Sequence, residues 1–380
     1  MKNILFIRAN AVNPDSRVEK EVNCLIKNGY HVTILAWDRK STYPLRKQSI
    51  ELPGGKTDIY RVGIKAGFGN GMKNLPNLIK FQICIRQFIK SHQDFDIVHA
   101  CDFDTAFTAF HSINHKRTRF VYDIFDYYVD AFAVPKRLRK FIWNLDRNVI
   151  NNADATIICT EQRRKQLKGT SPKKVVVIHN TPPLYYNKMP QHTKNDNNKV
   201  TKIAYIGMLS HGRLIEELIN IVKKDKNLEL HIGGFGIIEN KVKEASKKFD
   251  NIKYYGKVPY SQVLSIENQC DIMTAIYDPK IPNHRYAAPN KFYEALMLGK
   301  PIIMVQNTGI SELVEKEHIG TLISYSGLGL EEGIHRLIDG KAQWNEINKH
   351  MKNMYKNKFC WDIMEKRLLN LYKELERSHG

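Results

Sequence analysis

The sequence predicts an α/β protein with two doubly wound domains, each built around a parallel sheet. A chain of 380 residues is too long for a single compact core, which favours two domains. Short apolar runs typical of buried parallel strands alternate with helical segments in both halves. A polar stretch without apolar periodicity separates the halves. We therefore predict an N-terminal domain at 1–186, a linker at 187–199, a C-terminal domain at 200–355 and a terminal helix within 356–380.

The first domain opens with a strand, a helix and a second strand, predicted at 3–8, 17–27 and 31–37. A unit of this kind is typical of a doubly wound sheet. It lacks the Gly-x-Gly-x-x-Gly sequence that binds dinucleotides, so we do not expect such binding here. The same reasoning predicts later strands at 58–64, 95–100, 119–122, 153–160 and 174–178, and helices at 73–92 and 135–148.

Two acidic clusters follow predicted strands of this domain. Asp102 and Asp104 come after the strand at 95–100, and Asp123 and Asp126 come at the end of the strand at 119–122. Ligands of open α/β sheets bind at the carboxyl ends of strands, so Asp104 and Asp126 are the carboxylates best placed to contact a substrate hydroxyl. The alternative is that either cluster caps the helix that follows it.

The positive charge is concentrated in the first half of the chain. Residues 1–190 hold 31 Lys and Arg against 16 Asp and Glu, a net +15, and the remainder of the total of +20 lies in the second half. Such an excess suggests nucleic acid, an anionic membrane surface or a phosphorylated substrate as the partner. The alternative is a proteome that is rich in Lys and Asn.

The segment 135–148 interleaves basic and apolar side chains, including Arg139 and Trp143. As a helix it could lie on an anionic bilayer. The alternative is that its apolar face packs in the core and its Lys and Arg side chains are solvated. No apolar run approaches the ~20 residues of a membrane span, and the N-terminus has no signal-peptide pattern, so we expect a cytoplasmic protein. The cysteines are scattered without Cys-x-x-Cys spacing, which predicts buried reduced thiols.

In the second half, the stretch from Pro289 to Val305 carries the most information. Pro289 suits the approach to a helix and Asn290 its N-cap. The helix is predicted at 291–298, Gly299 ends it, and an apolar run at 302–305 is typical of a buried strand.

The polar edge of this helix combines a cation with a carboxylate. A helix N-terminus attracts phosphate, and Lys291 adds a full positive charge there. Glu294 lies three residues on, on the same face, and can accept hydrogen bonds from a pair of sugar hydroxyls. The pair suits a nucleotide; the alternative is an ordinary amphipathic helix with a solvated Lys and Glu.

Two glycines end predicted strands of the second domain. Gly207 follows the strand at 202–206 and Gly233 follows the strand at 229–232. Glycine lets a backbone approach a ligand closely, so both loops are candidate ligand contacts. Further strands are predicted at 252–255 and 271–276.

The stretch around Glu294 resembles the donor-binding motif of family-four glycosyltransferases, whose fold is called GT-B. In that family the second Glu of a Glu-x7-Glu motif binds the nucleotide ribose, and Glu294 matches it; Tyr286 stands at the first Glu. The resemblance implies two Rossmann-like domains facing a central cleft.

The resemblance also implies a set of donor contacts. Arg213, Lys291 and the helix N-terminus at Asn290 would bind the diphosphate. Gly207 and Gly233 would provide the loops against the donor. Val258, in the Gly-Lys-Val-Pro segment, would lie along the nucleobase.

The first half resembles the family more loosely. Asp126 matches an acidic position that a His precedes in the family, and Phe125 replaces that His here. Arg17 could meet an acceptor phosphate, or be an ordinary arginine on the surface of a helix. Arg139 and Trp143 would face the acceptor or the membrane. The segment from Phe359 resembles a terminal helix that crosses back to the first domain.

The function that the resemblance implies is transfer of a hexosyl group from a nucleotide diphosphate sugar, with UDP as the expected nucleotide. The acceptor would be a glycan or a lipid-linked saccharide, such as a polyprenyl diphosphate, in the assembly of a surface polysaccharide or glycoconjugate. The enzyme would work without cofactor or metal, could be peripheral on the inner face of the plasma membrane, and would retain the anomeric configuration, although Tyr286 leaves that point open. Two alternatives remain: a UDP-sugar epimerase of the same fold, and a basic nucleic-acid-binding protein, for which no recognition motif is present.

Overall fold

The computed structural model describes residues 2–67, 71–131, 134–183 and 200–377. These residues form two compact units, the first comprising Met1–His179 with Met364–Gly380 and the second Asn180–Ile363. The linker predicted at 187–199 lies outside the described residues. No helix within the described ranges combines the length and the apolarity that crossing a bilayer requires.

The first unit contains an eight-stranded sheet in the order β3-β4-β2-β1-β5-β6-β7-β8. All neighbouring strands pair in parallel except β3 and β4, which form an antiparallel hairpin. The strands are β1 (Asn3–Arg8), β2 (His31–Asp38), β3 (Tyr43–Leu52), β4 (Gly55–Gly63), β5 (Ile97–Cys101), β6 (Arg119–Ile124), β7 (Ala155–Ile158) and β8 (Val175–Val177).

The helices of this unit connect the parallel strands, as a doubly wound sheet requires. They are α1 (Ser16–Lys27), α2 (Leu75–Ser91), α3 (Phe103–Phe110), α4 (Tyr128–Ala131) and α5 (Lys136–Asn152). Asp15 caps α1, because its carboxylate accepts a hydrogen bond from the backbone N–H of Val18. The segment Glu161–Leu167 forms a 3-10 helix.

The hairpin of β3 and β4 differs from the sequence prediction, which placed only one strand there, at 58–64. Most side chains of β3 are exposed, and the strand lies at the edge of the sheet. A strand without a buried face has no alternation of apolar and polar residues, so the sequence carries no signal for it.

The second unit contains a six-stranded parallel sheet in the order β11-β10-β9-β12-β13-β14. Its strands are β9 (Thr201–Ile206), β10 (Leu228–Gly233), β11 (Ile252–Tyr254), β12 (Ile272–Ala275), β13 (Ile302–Val305) and β14 (Gly320–Ile323). Its helices are α6 (Ile215–Val222), α7 (Glu239–Lys248), α8 (Tyr260–Asn268), α9 (Asn290–Leu298), α10 (Ser311–Lys316), α11 (Gly327–Asp339) and α12 (Trp344–Met354). The chain order reverses between β9 and β12, and the carboxyl ends at such a switch point are where open sheets bind ligands.

Successive residues of the central strands belong to different cores on the two faces of this sheet. On β13, Ile303 and Val305 join one cluster, and Ile302 and Met304 join the other. This is the two-residue period of a strand that is covered on both sides, and it explains why the apolar run at 302–305 is continuous.

Helix α9 begins one residue earlier than predicted. Pro289 occupies the cap position with extended backbone, and Asn290 is the first helical residue. The side chain of Asn290 does not cap the helix; its oxygen accepts a hydrogen bond from the side-chain amide of Asn180. The prediction of Asn290 as the N-cap was therefore wrong. Gly299 ends the helix in the left-handed conformation, as predicted.

The last helix, α13 (Trp361–Arg377), contributes most of its length to the first unit. The hydroxyl of Tyr372 lies 2.8 Å from Nδ1 of His99 on β5, and both side chains are buried. Arg367 donates a hydrogen bond to the carbonyl oxygen of Val177, at the end of β8.

Two loops at the carboxyl ends of β9 and β10 approach each other so closely that they require glycine. Gly234 has φ +136, and a Cβ atom there would lie 1.7 Å from the carbonyl oxygen of Gly207. The backbones are joined by a hydrogen bond from the N–H of Gly207 to the oxygen of Gly233, 2.9 Å long. Any side chain at position 234 would separate the two loops.

We expect the substitution Gly234→Ala to lower the free energy of unfolding by roughly 3 kcal/mol or more, because it adds a backbone clash to an unfavourable φ. Gly256→Ala is the matched control, since Gly256 also has positive φ (+65) but a Cβ atom there would meet nothing within 4 Å. The control should cost only about 1–2 kcal/mol. Denaturant unfolding measures both values, and equal losses would contradict the close approach.

Candidate active site

The side chain of Lys291, in the first turn of α9, reaches the carboxyl end of β9. A Cβ atom on Gly207 would lie 2.7 Å from Nζ of Lys291, so glycine is what leaves room for the ammonium. The same nitrogen lies 4.5 Å from the ring centroid of Tyr205, on β9. The ammonium therefore lies against the face of an aromatic ring and beside a stretch of backbone that carries no side chain.

Burial and the nearby Arg213 lower the pKa of Lys291 to about 8, while Glu294 and Glu267 act in the opposite direction. The ammonium is therefore mainly protonated at neutral pH, but its charge is poorly solvated. An anion beside Nζ would be attracted strongly, because little water competes for the charge.

Arg213 supplies a second cation near Lys291. Its guanidinium carbon lies 3.6 Å from the ring centroid of Tyr277, and Nη1 donates a long hydrogen bond of 3.4 Å to the carbonyl oxygen of Ile276. These contacts fix the guanidinium near the end of β12. The part that it plays in lowering the pKa of Lys291 shows that the two positive charges repel each other.

Glu294 lies one turn along α9 from Lys291 and is only 3% exposed. The hydroxyl of Tyr260, at the start of α8, is hydrogen-bonded to this carboxylate, and burial together with Glu294 raises the pKa of that hydroxyl. A carboxylate so shielded from water binds strongly to any hydroxyl that reaches it.

Glu267 is a buried carboxyl in this neighbourhood that the sequence analysis missed. It lies on α8, and among the described residues neither of its carboxyl oxygens has a hydrogen-bond partner. Burial, and then Glu294, raise the pKa of Glu267 well above its usual value, against the influence of Lys291. In the sequence Glu267 has the pattern of an ordinary helix-surface glutamate, so no local signal could have found it.

The remaining predicted donor residues lie along the same edge of the sheet. Gly233 ends β10 beside Gly207, and the N–H of Gly234 donates to the oxygen of Gly256 over 2.7 Å. Val258 follows two residues later and is partly buried. Asn290 is exposed next to Lys291. Phe235, half-exposed beside these glycines, was not predicted as part of the site.

In the first unit, Asp102 joins the ends of three strands. One carboxylate oxygen accepts hydrogen bonds from the backbone N–H groups of Phe125 (2.9 Å) and Asp126 (3.1 Å), and the other pairs with Arg8. Asp102 has φ +66, which a side chain rarely adopts, and its carboxylate does not cap α3. Asp102 therefore stands at the N-cap position of α3, but its side chain does not make the capping hydrogen bond that the alternative expected.

The two carboxylates predicted to contact a substrate hydroxyl, as catalytic candidates, lie in different environments. The side chain of Asp126 is half-exposed and pairs with Arg163 over 3.1 Å. Asp104 is buried, and one of its oxygens has no hydrogen-bond partner among the described residues. Burial and the neighbouring Asp102 raise the pKa of Asp104 to about 7. Asp104 can therefore hold or release a proton near neutral pH, as a general acid or base requires.

Arg17 is not on the surface of its helix, and that interpretation was wrong. Its guanidinium is buried, with Asp123 at 2.6 Å and Glu21 at 3.1 Å. Arg17 and Arg8 lie over the Phe125 ring, at 4.4 and 4.1 Å from its centroid. The inner face of α1 lies on the sheet, so Arg17 binds carboxylates of the protein itself.

His99, Cys101 and Asp123 place potential metal-ligand atoms within 4.8 Å of one another, in the core of the first unit. All three side chains are buried, and Asp123 is already bound to Arg17. Burial alone would raise the pKa of Asp123, but Arg17 and His99 hold it below its usual value. We interpret the group as an internal ion-pair network.

On α5, the structure separates the two residues predicted for an acceptor or membrane face. Arg139 is exposed and pairs with Asp130 over 2.6 Å. Trp143 is partly buried and packs against the core, so its placement on an exposed face was wrong. Contact with the core covers the second half of α5, whereas Leu138 and Phe141 in the first half are 44% and 60% exposed.

Comparisons with known proteins agree with this architecture. The model of Glycosyltransferase Family 4 matches residues 17–181, and the model of Glycosyl transferases group 1 matches residues 201–339. A comparison with curated protein sequences returned no match.

Solved structures resemble the whole chain in fold. A sucrose-phosphate synthase from Thermosynechococcus elongatus is 16% identical with a TM-score of 0.76, covering 100% of both chains. The Anabaena protein HepE, in complex with UDP and glucose, is 14% identical with a TM-score of 0.68, covering 98% of this chain and 100% of its own. A trehalose-6-phosphate protein from E. coli bound with UDP-2-fluoro glucose is 11% identical with a TM-score of 0.70, covering 98% of this chain and 99% of its own.

The two family models together span most of both units, and the fold is the one that the sequence predicted. The chain belongs to the family-four glycosyltransferases of the GT-B fold.

Proposed function

We propose that this glycosyltransferase takes its sugar from a UDP-linked donor bound in the second unit. The observation that carries the proposal is the pair formed by Lys291, against the backbone of Gly207, and Glu294 one turn further along α9. Two structures of similar fold support the choice of nucleotide, since they hold UDP with glucose and UDP-2-fluoro glucose.

The donor-binding chemistry follows from the charges of these side chains. Lys291, Arg213 and the N-terminus of α9 would bind the diphosphate and neutralise it as negative charge builds on the leaving group. Glu294 would accept hydrogen bonds from the ribose hydroxyls. In this proposal the cations of the protein neutralise the diphosphate, and no bound metal ion is required.

At the position expected to contact the sugar of the donor, this chain differs from the family. Tyr286 ends a 3-10 turn, Pro282–Tyr286, and offers a hydroxyl where the family has a carboxylate. Transfer of a hexosyl group with retention of the anomeric configuration is the outcome that we expect, and the anomeric proton of the product reports it by NMR.

For the acceptor, we propose a lipid-linked saccharide that is met at an anionic membrane surface during glycoconjugate or polysaccharide assembly. The first half of α5 exposes the basic residues Lys136, Arg137, Arg139 and Lys140 together with Leu138 and Phe141. Exposed cations beside exposed apolar side chains suit an interfacial helix on the inner face of the plasma membrane. Of the alternatives, neither the epimerase nor the nucleic-acid-binding protein gains support from the comparisons.

Thermal unfolding against a panel of nucleoside diphosphates, in buffer with EDTA, tests the donor site. UDP at 100 times its dissociation constant should stabilise the protein by about 2.7 kcal/mol. The shift should disappear in Glu294→Gln, which keeps the shape of the side chain but loses its charge. Glu332→Gln, an exposed glutamate on α11, is the matched control and should keep the shift. No shift with any nucleotide would reject the donor site, and a shift that requires Mg²⁺ would reject the metal-free mechanism.

The raised pKa of Glu267 predicts a pH-dependent effect of the substitution Glu267→Gln. At about pH 4 the carboxyl is protonated in both folded and unfolded chains, so stability should change little. Above the usual value of 4.5, the unfolded chain loses this proton while the folded chain keeps it, which destabilises the wild type. The variant should therefore be increasingly more stable than the wild type as the pH rises above 4.5, until the carboxyl of the folded chain also ionises. Denaturant unfolding across this range measures the difference; Glu244→Gln, an exposed control, should show none.

Flotation with anionic liposomes at low salt tests the membrane surface. The triple substitution Lys136→Glu, Arg137→Glu, Lys140→Glu should weaken binding by about a hundredfold or more, because the loss of three cations at about 1 kcal/mol each already gives that factor and the anionic surface repels the new carboxylates. The matched control reverses three exposed lysines of the second unit, Lys247, Lys248 and Lys253, and should bind as the wild type does. Failure of the wild type to float at low salt would overturn the proposal.

A further inference from the structure

We propose that a cavity in the first unit binds the apolar chain of the acceptor, with the hydroxylated end of the acceptor against Asp104. This inference rests on the proposed function and assigns the apolar part of its acceptor to one cavity. Three features support it: one cavity, the side chains around its mouth and one buried carboxyl.

The cavity has a volume of about 320 Å³ and lies where α2 and α5 begin. Trp37, near the end of β2, and Asp104, just after β5, also line it. It therefore opens at the carboxyl edge of the parallel sheet, where doubly wound domains bind ligands. An apolar cavity of ~150 Å³ already admits benzene, and small-molecule sites begin at about 300 Å³.

The walls of this cavity are largely apolar. Leu75 and Leu78 of α2 face it from one helix, and Leu138 and Ile142 of α5 from the other. Leu75, Leu138 and the neighbouring Phe141 are also among the large apolar side chains that remain exposed. Apolar surface that is both concave and exposed gains the most when a hydrocarbon chain covers it.

The cavity also has polar residues in its lining. Asp104 and Arg39 both line it, and Asp104 is largely buried. The Asp104 carboxyl is therefore an acidic group that the hydroxyl of a ligand in the cavity would meet. With its pKa raised to about 7 by burial and Asp102, Asp104 can either accept a hydrogen bond from a hydroxyl or donate one.

The carboxyl, the apolar walls and the basic residues at the start of α5 follow one another, and this order indicates how the groups of the ligand are arranged. A hydroxyl lies against Asp104, and a chain follows the apolar walls towards Leu75 and Leu138 at the rim. Beyond the rim stand the basic residues at the start of α5, which include Lys136 and Arg137. A hydroxylated head with an apolar chain fits this sequence of surfaces, whereas a free sugar would leave the apolar walls in contact with water.

Calorimetric titration with octyl β-glucoside below its micelle concentration tests the proposal, with methyl β-glucoside as the chainless probe. We expect octyl glucoside to bind at least tenfold more tightly than methyl glucoside. Leu138→Glu places a charge at the rim of the cavity, and because Leu138 is exposed the fold should survive. It should weaken binding of octyl glucoside at least tenfold.

The matched control is Ile83→Glu, which changes an apolar residue of α2 that is 51% exposed and does not line the cavity. Its affinity for octyl glucoside should stay within twofold of the wild type. Equal affinity for the two glucosides would overturn the inference, and so would equal losses in both Glu variants, which would indicate general adsorption to the surface. The shift with UDP, measured on the same samples, reports the donor site independently, so failure of one proposal can be told from failure of the other.

Discussion

The ammonium of Lys291 occupies space that a side chain at position 207 would fill, and the candidate donor site depends on this contact. The contact brings together Gly207 at the end of β9 and the first turn of α9. Burial and Arg213 disfavour the charge on Lys291, and Glu294 only partly compensates. Two partly buried cations that repel each other are unfavourable until an anion lies between them. A diphosphate would relieve this repulsion, which is the role that the proposed donor site gives to these two cations.

The fold was largely predictable because both sheets are parallel and covered on both faces. Such strands appear in the sequence as short apolar runs, and β1 and β13 were predicted residue for residue. The exposed strand β3 was not predicted, because apolar and polar residues alternate along a strand only where one of its faces is buried. The cap of α9 was misplaced for a different reason. Asn290 has the composition of an N-cap, but Pro289 before it holds the extended backbone of that position, and Asn180 engages the Asn290 side chain.

The site was predictable only where its residues lie close together in sequence. Lys291 and Glu294 share one helix, so their common face follows from helical geometry. Glu267 lies on a different helix, and its burial beside them is a product of tertiary packing. Arg17 shows the opposite error. Its guanidinium is buried and pairs with Asp123, which lies far along the chain, whereas an arginine on a helix is usually exposed.

For the positive charge of the first half, too, the number of cations in the sequence does not tell where they lie in the structure. Arg8, Arg17 and Arg163 contribute to the excess of positive charge, yet each forms ion pairs with carboxylates near the sheet and adds little to the field outside. The cations at the start of α5 are exposed, and they adjoin Leu138 and Phe141. These cations are therefore one part of the charge that can act on a partner, and they adjoin the apolar cavity. Their placement, rather than the total of +20, is what connects the basic composition to the proposed amphiphilic acceptor.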